Sequence, residues 1–276
     1  PISAEHGKNV GDLLEKIVDN LPLLEDDELD NEALNIAIIG KPNVGKSSLV
    51  NYLAGYERVI VSDIPGTTRD AIDTLVEIKG VKYNLIDTAG MRRKARIKDS
   101  VEYYSVIRTI RAIDRADAVL MLIDATEGVT GQDKKIVGYA HDNGKAIVLA
   151  VNKWDLVEKE TNTMEEYKKE IYNELKFINY APITFISALT GKRVPEALEL
   201  LEYVIDQNSL RIKTGLLNEV LEEAFLLREP PGYRGKKLKL YYATQVAIKP
   251  PTFLLFVNDP ELMHFSYERY LENALR

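Results

Sequence analysis

The sequence GKPNVGKS at residues 40–47 has two glycines, and a lysine and a serine directly follow the second, at the spacing GxxxxGK[ST]. Glycines let the backbone curl so that several N–H groups point at phosphate oxygens, and the dipole of a following helix adds to this attraction. The lysine can reach the β- and γ-phosphates, and the serine hydroxyl can ligate magnesium. The alternative is a glycine-rich turn with an incidental lysine. We predict a phosphate site formed by Asn43, Val44, Gly45, Lys46, Ser47 and Ser48.

A second polar cluster, NKWD at residues 152–155, follows an apolar run and has the groups needed to recognise guanine. The Asp155 carboxylate can accept both the N1–H and the exocyclic amine of guanine, a pair that adenine lacks. The Asn152 amide suits the N7 and O6 acceptors, and the Lys153 stem can lie on the base plane. Backbone N–H groups near Ser187 and Ala188 can donate to O6. A polar loop is the alternative for NKWD alone, but its position after a phosphate motif predicts a guanine nucleotide.

Two further motifs could sense the γ-phosphate. In DTAG at residues 87–90, Asp87 would hold magnesium through water and the Gly90 N–H would contact the γ-phosphate. In PGTTRD at residues 65–70, Thr68 is the favoured metal ligand, with Thr67 as the alternative. Taken alone, PGTTRD is typical of a capped β-turn. Loops of this kind become ordered or disordered with the presence of the γ-phosphate.

The elements that must position these motifs alternate between strand and helix patterns. Apolar runs at 34–39, 118–123, 146–151 and 183–186 predict strands, and helices are predicted at 47–53, 103–113, 133–141, 164–175 and 194–205. Strands at 75–78 and 81–86 flank Lys79-Gly80, which indicates a hairpin. The first helix is expected to stop at Gly55. The pattern predicts an α/β domain at 34–207, with a mostly parallel sheet, one antiparallel edge and helices on both faces.

The last segment, residues 208–276, changes character. A helix at 216–227, strands at 238–248 and 252–257, and a helix at 261–274 predict a small α+β domain. At the other end, residues 2–17 repeat residues 186–201 at eight of sixteen positions. Residues 1–20 are therefore interpreted as the tail of an upstream domain of the same kind, joined by an acidic linker at 21–33.

Composition limits the remaining classes. The chain has 276 residues, a formal net charge of −7 and no cysteine, which excludes disulfides and thiolate metal sites. No apolar run reaches the length of a transmembrane helix, so we expect no membrane partner. The absence of cysteine fits a reducing compartment, and a cytoplasmic location is expected. The net charge argues against indiscriminate binding of polyanions by the whole surface.

Together, GKPNVGKSSLVNYLAG, PGTTRD, DTAGM and NKWDL resemble the Era-like branch of the translation-factor-like GTPases. The repeated tail, the acidic linker and the C-terminal α+β segment narrow the resemblance to the Der (EngA) family. This resemblance implies a P-loop GTPase domain with GTP or GDP and Mg²⁺, a missing upstream GTPase domain and a KH-like C-terminal domain. It also implies a role in assembly of the large ribosomal subunit, with rRNA or ribosomal protein as partner. Lys46, Thr68, Gly90 and Asn43 would be the catalytic residues.

One position departs from many regulatory GTPases, which carry glutamine after DTAG to orient the attacking water. Met91 stands there, so slow intrinsic hydrolysis is expected. In related Era-like enzymes the asparagine matched by Asn43 helps to bind K⁺, which supplies positive charge. The alternative for Asn43 is a plain turn residue.

Two basic segments are candidate contacts for partners. Residues 92–98 (RRKARIK) follow the second switch, and a solvated loop explains them equally well. Residues 234–239 (RGKKLK) stand beside tyrosines, which suits RNA, and docking on a GTPase domain or on ribosomal protein is the alternative. Alternative functions are a GTPase coupled to RNA modification and a nucleotide-dependent scaffold with little hydrolysis.

Overall fold

The computed structural model describes residues 33–56, 58–59, 73–88, 101–232 and 235–276. Within these ranges, residues from Ala33 to Arg276 form one compact unit. The predicted tail at 1–20 and all but the last residue of the predicted linker lie outside the described residues. The predicted boundary between residues 207 and 208 stays a prediction.

Seven of the described strands form the larger sheet. They are β1 (Leu34–Ile39), β2 (Arg58–Val59), β3 (Thr74–Ile78), β4 (Val81–Leu85), β5 (Ala118–Asp124), β6 (Ala146–Asn152) and β7 (Ile183–Phe185). Their order is β2-β3-β4-β1-β5-β6-β7. The pairs from β4 to β7 are parallel, whereas β2–β3 and β3–β4 are antiparallel. The predicted parallel sheet with one antiparallel edge is confirmed.

Helices cover both faces of this sheet. They are α1 (Lys46–Tyr56), α2 (Val101–Arg115), α3 (Gly131–Asp142), α4 (Thr163–Glu174) and α5 (Val194–Asn208). Side chains of α1 and α5 share one hydrophobic core with Leu120 and Leu122 of β5, and those of α2, α3 and α4 share the other with Val119 and Met121. Successive residues of a strand point to opposite faces, so one apolar strand supplies both cores.

Local signals explain where the helices begin and end. The Thr130 Oγ1 accepts from the Asp133 N–H at 3.3 Å, and Asp133 Oδ2 accepts from the Thr130 N–H at 3.0 Å, which is a capping box at the start of α3. The prediction that α1 stops at Gly55 was wrong by one residue, because the helix continues to Tyr56. Gly55 lies in the exposed last turn, where a glycine costs little.

The C-terminal segment contains α6 (Thr214–Leu227), β8 (Leu240–Ala247), β9 (Thr252–Val257) and α7 (Phe265–Leu275). The antiparallel pair β8–β9 packs one face on the two helices around a third core that includes Leu217, Leu221, Ala243 and Tyr267. The predicted α+β arrangement is confirmed. The last helix begins later than predicted, since a 3₁₀ turn at Pro260–Leu262 precedes it and His264 caps it by accepting from the Ser266 N–H at 3.2 Å.

Within the described ranges, none of the helices combines the length and the apolar character that crossing a membrane requires.

Candidate functional site

The predicted phosphate loop connects the carboxyl end of β1 to the first turn of α1. Asn43 has a φ of 63° and Gly45 a φ of 106°, so two residues of the loop have positive φ angles before the helix begins. The Lys46 ammonium donates to the carbonyl oxygens of Gly40 and Lys41, both at 2.6 Å, which holds the charge over the loop. Val44 is fully buried, whereas Ser47 and Ser48 are exposed at the start of α1. The loop thus places the Lys46 cation at the N-terminus of α1, and both features suit phosphate binding.

Asn152 joins the phosphate loop to the loop after β7. Its Nδ2 donates to the Val44 carbonyl at 2.7 Å, and its Oδ1 accepts from the Ala188 N–H at 2.8 Å. A Cβ on Gly45 would lie 2.2 Å from the same Nδ2, so only glycine permits this approach. An amide nitrogen carries two hydrogens, and one remains for a ligand.

These hydrogen bonds limit the contacts that Asn152 and Ala188 can make with the base. The prediction that the Asn152 amide serves both N7 and O6 needs two free donors, and one of them is already committed to Val44. The Ala188 N–H is likewise committed to Asn152, so it would have to leave that bond to reach O6. Asn152 therefore acts first as a tie between two loops, and its contact with the base stays a prediction.

Lys153 has a φ of 63° and lies directly after β6. Its ammonium forms an ion pair with Asp124 Oδ2 at 2.6 Å. Asp124 is 1% exposed, and its other oxygen accepts from the N–H and the hydroxyl of Thr126 at 2.9 and 2.7 Å. Burial raises the pKa of the Asp124 carboxyl, but the bonds from Lys153 and Thr126 outweigh it and lower the pKa below its usual value. The carboxylate is thus ionised at neutral pH.

Asp155 and Trp154 occupy a 3₁₀ turn at Trp154–Leu156 and face opposite environments. Trp154 is 5% exposed and packs on Phe185 and Tyr167, with ring centroids 4.4 and 5.0 Å away. Asp155 is exposed. Because the indole anchors the turn, the Asp155 carboxylate is presented to solvent on a fixed backbone, as recognition of a base edge requires.

The predicted Ser187–Ala188 contact lies in a tight turn between β7 and α5. The Ser187 N–H donates to the Lys192 carbonyl at 3.1 Å, and the Ser187 carbonyl accepts from the Gly191 N–H at 2.8 Å. Ser187 and Ala188 are both buried, at 2 and 3% exposure. The N–H groups of Ser187 and Ala188 are therefore both bonded to protein, and their contact with O6 stays a prediction.

The metal-binding predictions fall partly on described residues. Asp87 ends the turn after β4 and receives support from Asp73, whose Oδ1 accepts the Asp87 N–H at 2.9 Å. A hydroxyl from Ser47 and a carboxylate from Asp87 are hard oxygen donors, which fit Mg²⁺. Across the described part of the chain, His, Asp and Glu side chains nowhere gather into a metal-holding group of three or more. Thr68, Thr67, Gly90 and Met91 lie outside the described residues.

Two acidic residues near the site were missed by sequence reasoning. Asp124 is described above, and Glu127 accepts from the buried Lys41 ammonium of the phosphate loop at 2.7 Å. Asp124 ends the otherwise apolar run AVLMLID, and a charge at that point of a buried strand is the signal that could have been used.

Two protein-family models match parts of this chain. A family model described as a 50S ribosome-binding GTPase matches residues 35–153. A second model, described as the KH-domain-like C-terminal part of EngA bacterial GTPase enzymes, matches residues 211–276.

Curated relatives are similar along the whole chain. GTPase Der of Halothermothrix orenii is 71% identical over 276 residues, and that of Desulfitobacterium hafniense (strain DSM 10664) is 59% identical. The match covers 100% of this chain and 63% of each relative, so the chain spans less than two thirds of their length.

Solved structures are more distant. Era in complex with MgGDPNP and nucleotides 1506–1542 of 16S ribosomal RNA has a TM-score of 0.47 at 23% identity, covering 87% of this chain and 86% of that one. Elongation factor SelB of Methanococcus maripaludis with the GTP analogue GppNHp has a TM-score of 0.48 at 20% identity, covering 66% of this chain and 36% of that one.

Proposed function

Because the chain belongs to the Der (EngA) family of bacterial GTPases, we propose that it binds guanine nucleotides and hydrolyses GTP. The observation that carries this proposal is the position of Asn152, whose amide bonds to Val44 of the phosphate loop and to Ala188 beside the base loop. One side chain thereby brings the three predicted nucleotide motifs within the length of a single ligand. A phosphate-binding turn without a base site would not need this tie.

In this proposal the phosphates lie against the loop at 40–47, where backbone N–H groups and Lys46 offset their charge. Mg²⁺ held by Ser47 and Asp87, with Thr68 as a further predicted ligand, would neutralise charge on the β- and γ-phosphate oxygens when bound. Asp155 accepts from the guanine N1–H and amine. Gly90 is assigned to the γ-phosphate.

The specificity can be tested by exchanging Asp155. In Asp155→Asn the amide can donate to the 2-carbonyl of xanthine but cannot accept both guanine donors. We expect GDP affinity to fall by at least about a hundredfold and XDP to bind instead. Glu158→Gln, which removes an exposed acid from the same loop, is the control and should leave both affinities unchanged. Retention of GDP selectivity by Asp155→Asn would contradict the assignment.

We propose further that K⁺, placed with the help of Asn43, supplies the charge that Met91 cannot. GTP turnover in K⁺ should then exceed turnover in Na⁺, and Asn43→Ala should remove the difference. Equal rates in the two salts for the parent chain would refute this part without affecting guanine binding.

The proposed partner is the large ribosomal subunit, through rRNA, ribosomal protein or both, in the cytoplasm. The 50S description of the matching family model supports it. An upstream GTPase domain is a second proposed partner, since the relatives are longer than this chain. Co-sedimentation with 50S subunits should be stronger with a GTP analogue than with GDP. Equal sedimentation under both nucleotides would contradict a nucleotide-controlled interaction.

A further inference from the structure

The buried residue Asp124 lies at the carboxyl end of β5, next to the base loop at residues 152–155. It is the last residue of β5 and pairs in register with Asn152, the last residue of β6. The turn after it is closed, since the Gly128 N–H donates to the Asp124 carbonyl at 2.9 Å, and the Ala125 N–H donates to the Asn152 carbonyl at 2.9 Å. Asp124 is therefore mounted on a rigid backbone beside the base loop.

Every bond of this carboxylate is directed at protein. One oxygen accepts twice from Thr126, and the other accepts from the Lys153 ammonium at 2.6 Å. With 1% exposure, the group has no surface left for a ligand. Asp124 therefore cannot act on a nucleotide directly, and any influence on one must pass through Lys153.

Lys153 is a flexible side chain that this pair restrains. A free lysine samples many rotamers, and ordering it costs conformational entropy. The ion pair fixes the far end of the stem, although 32% of the side chain remains exposed. With the ammonium turned to Asp124, the methylene groups form the surface that is left, and an apolar surface suits the face of an aromatic base.

We propose that Asp124 is a positioning residue that orders the Lys153 stem into one wall of the guanine site. This inference rests on the proposed function, because it needs a base to lie beside Lys153. The base would then be recognised in two ways. Asp155 accepts hydrogen bonds from the edge of the base, and the Lys153 stem, held by Asp124, contacts its face. The same turn carries Glu127, whose pair with the buried Lys41 at 2.7 Å braces the phosphate loop.

The experiment measures affinities for GDP and IDP, whose bases differ only by the 2-amine. The proteins are the parent chain, Asp124→Asn, Lys153→Met and the double variant. Lys153→Met keeps an unbranched stem but removes the tether. We expect Asp124→Asn to weaken GDP and IDP by the same factor, about tenfold, since the base plane is common to both. The double variant should be no weaker than the worse single variant, because both changes break one pair.

Glu165→Gln is the matched control. It removes one carboxylate from an exposed ion pair with Lys168 on α4, outside the site, and should change neither affinity. Thermal unfolding of each variant separates loss of fold from loss of positioning. If Asp124→Asn does not fold, Lys153→Met carries the test, since the lysine side chain is partly exposed and Asp124 keeps its two bonds from Thr126.

Three results would overturn the inference. One is a folded Asp124→Asn, or a Lys153→Met, that binds both nucleotides as the parent does. Another is a loss for GDP that exceeds the loss for IDP, which would mean that the pair affects the base edge. The third is losses that multiply in the double variant. A parent chain that binds neither nucleotide would instead refute the proposed function, and this inference with it.

Discussion

The seven-stranded sheet is covered on both faces, whereas the two-stranded sheet is covered on one. In β5 and β6 every residue is buried, but in β9 exposed and half-buried residues alternate. Tyr242, Leu254 and Phe256 keep nearly half of their surface on the open face of the hairpin. This difference shows which parts of each sheet remain accessible to a ligand. A sheet covered on both faces offers only its strand ends, and all described residues of the proposed nucleotide site lie there.

The largest expected effect is the loss of stability when a buried leucine of the seven-stranded sheet is truncated, compared with an exposed leucine of the hairpin. Leu122→Ala in β5 removes a fully buried side chain and should lower the free energy of unfolding by about 3 kcal/mol. Leu254→Ala in β9 removes a side chain that is 47% exposed and should cost less than about 1 kcal/mol. Urea unfolding measures both. Equal costs would mean that the open face of the hairpin is covered in solution.

Two asparagines, one in each of these regions, allow a second comparison of stability and GDP binding. Asn152 joins two loops of the site, and Asn218 joins α6 to β8 by donating to the Ala243 carbonyl and accepting from the Ala243 N–H, both at 2.8 Å. Asn152→Ala should cost about 2 kcal/mol of stability and also abolish GDP binding, because it leaves buried partners unsatisfied. Asn218→Ala should cost about 1 kcal/mol and leave GDP binding intact. Titration calorimetry and urea unfolding check both, and GDP binding by Asn152→Ala would show that the tie is dispensable.

A smaller effect, with a pH signature, is expected at Tyr267. Its hydroxyl donates to the Arg228 carbonyl at 2.7 Å, so Tyr267→Phe should cost about 1 kcal/mol at neutral pH. Burial, followed by the neighbouring Tyr270, raises the pKa of Tyr267 to about 12. Because the folded pKa exceeds the unfolded value of about 10, this stability is complete below about pH 10 and lost as the pH rises through about 12.

Tyr267→Phe should therefore flatten the alkaline part of the stability curve. The curve will not become level, since burial and the bond to Glu202 also raise the pKa of Tyr83 in the larger sheet. Unfolding midpoints between pH 8 and 11 provide the measurement. Parallel curves for the parent and the variant would show that Tyr267 does not titrate as proposed.

The smallest effect should come from the ion pair between Lys237 and Glu229, which joins side chains that are 63 and 73% exposed. Solvent and salt screen such a pair, so Lys237→Met should leave the urea midpoint unchanged. A measurable loss that disappears in high salt would indicate a stronger field around the hairpin than the structure shows.

Much of the fold could be predicted because burial leaves a pattern in the sequence. The continuous apolar runs of β5 and β6 predicted central strands, and the glycine at Gly80 predicted the hairpin. The start of α7 could not be predicted in the same way, since it depends on a bond between the His264 ring and the Ser266 N–H.

In the candidate site, too, local features could be predicted from the sequence and long-range contacts could not. Spacing identified the motifs themselves, because each is a local requirement of backbone shape. The Asp124–Lys153 pair joins residues 29 positions apart, and the Asn152–Val44 bond spans 108 positions. Contacts of that kind depend on strand order and register, which only the folded chain supplies.

Trp154 is the sole tryptophan of the chain, and it lies buried next to Asp155. Selective excitation of indole fluorescence therefore interrogates one location, at the base-recognition turn. A ligand that alters this emission must act on or near that turn, and denaturant curves followed by it report the larger α/β part while far-UV ellipticity reports the whole chain. The protein thus contains its own optical probe, which needs no label.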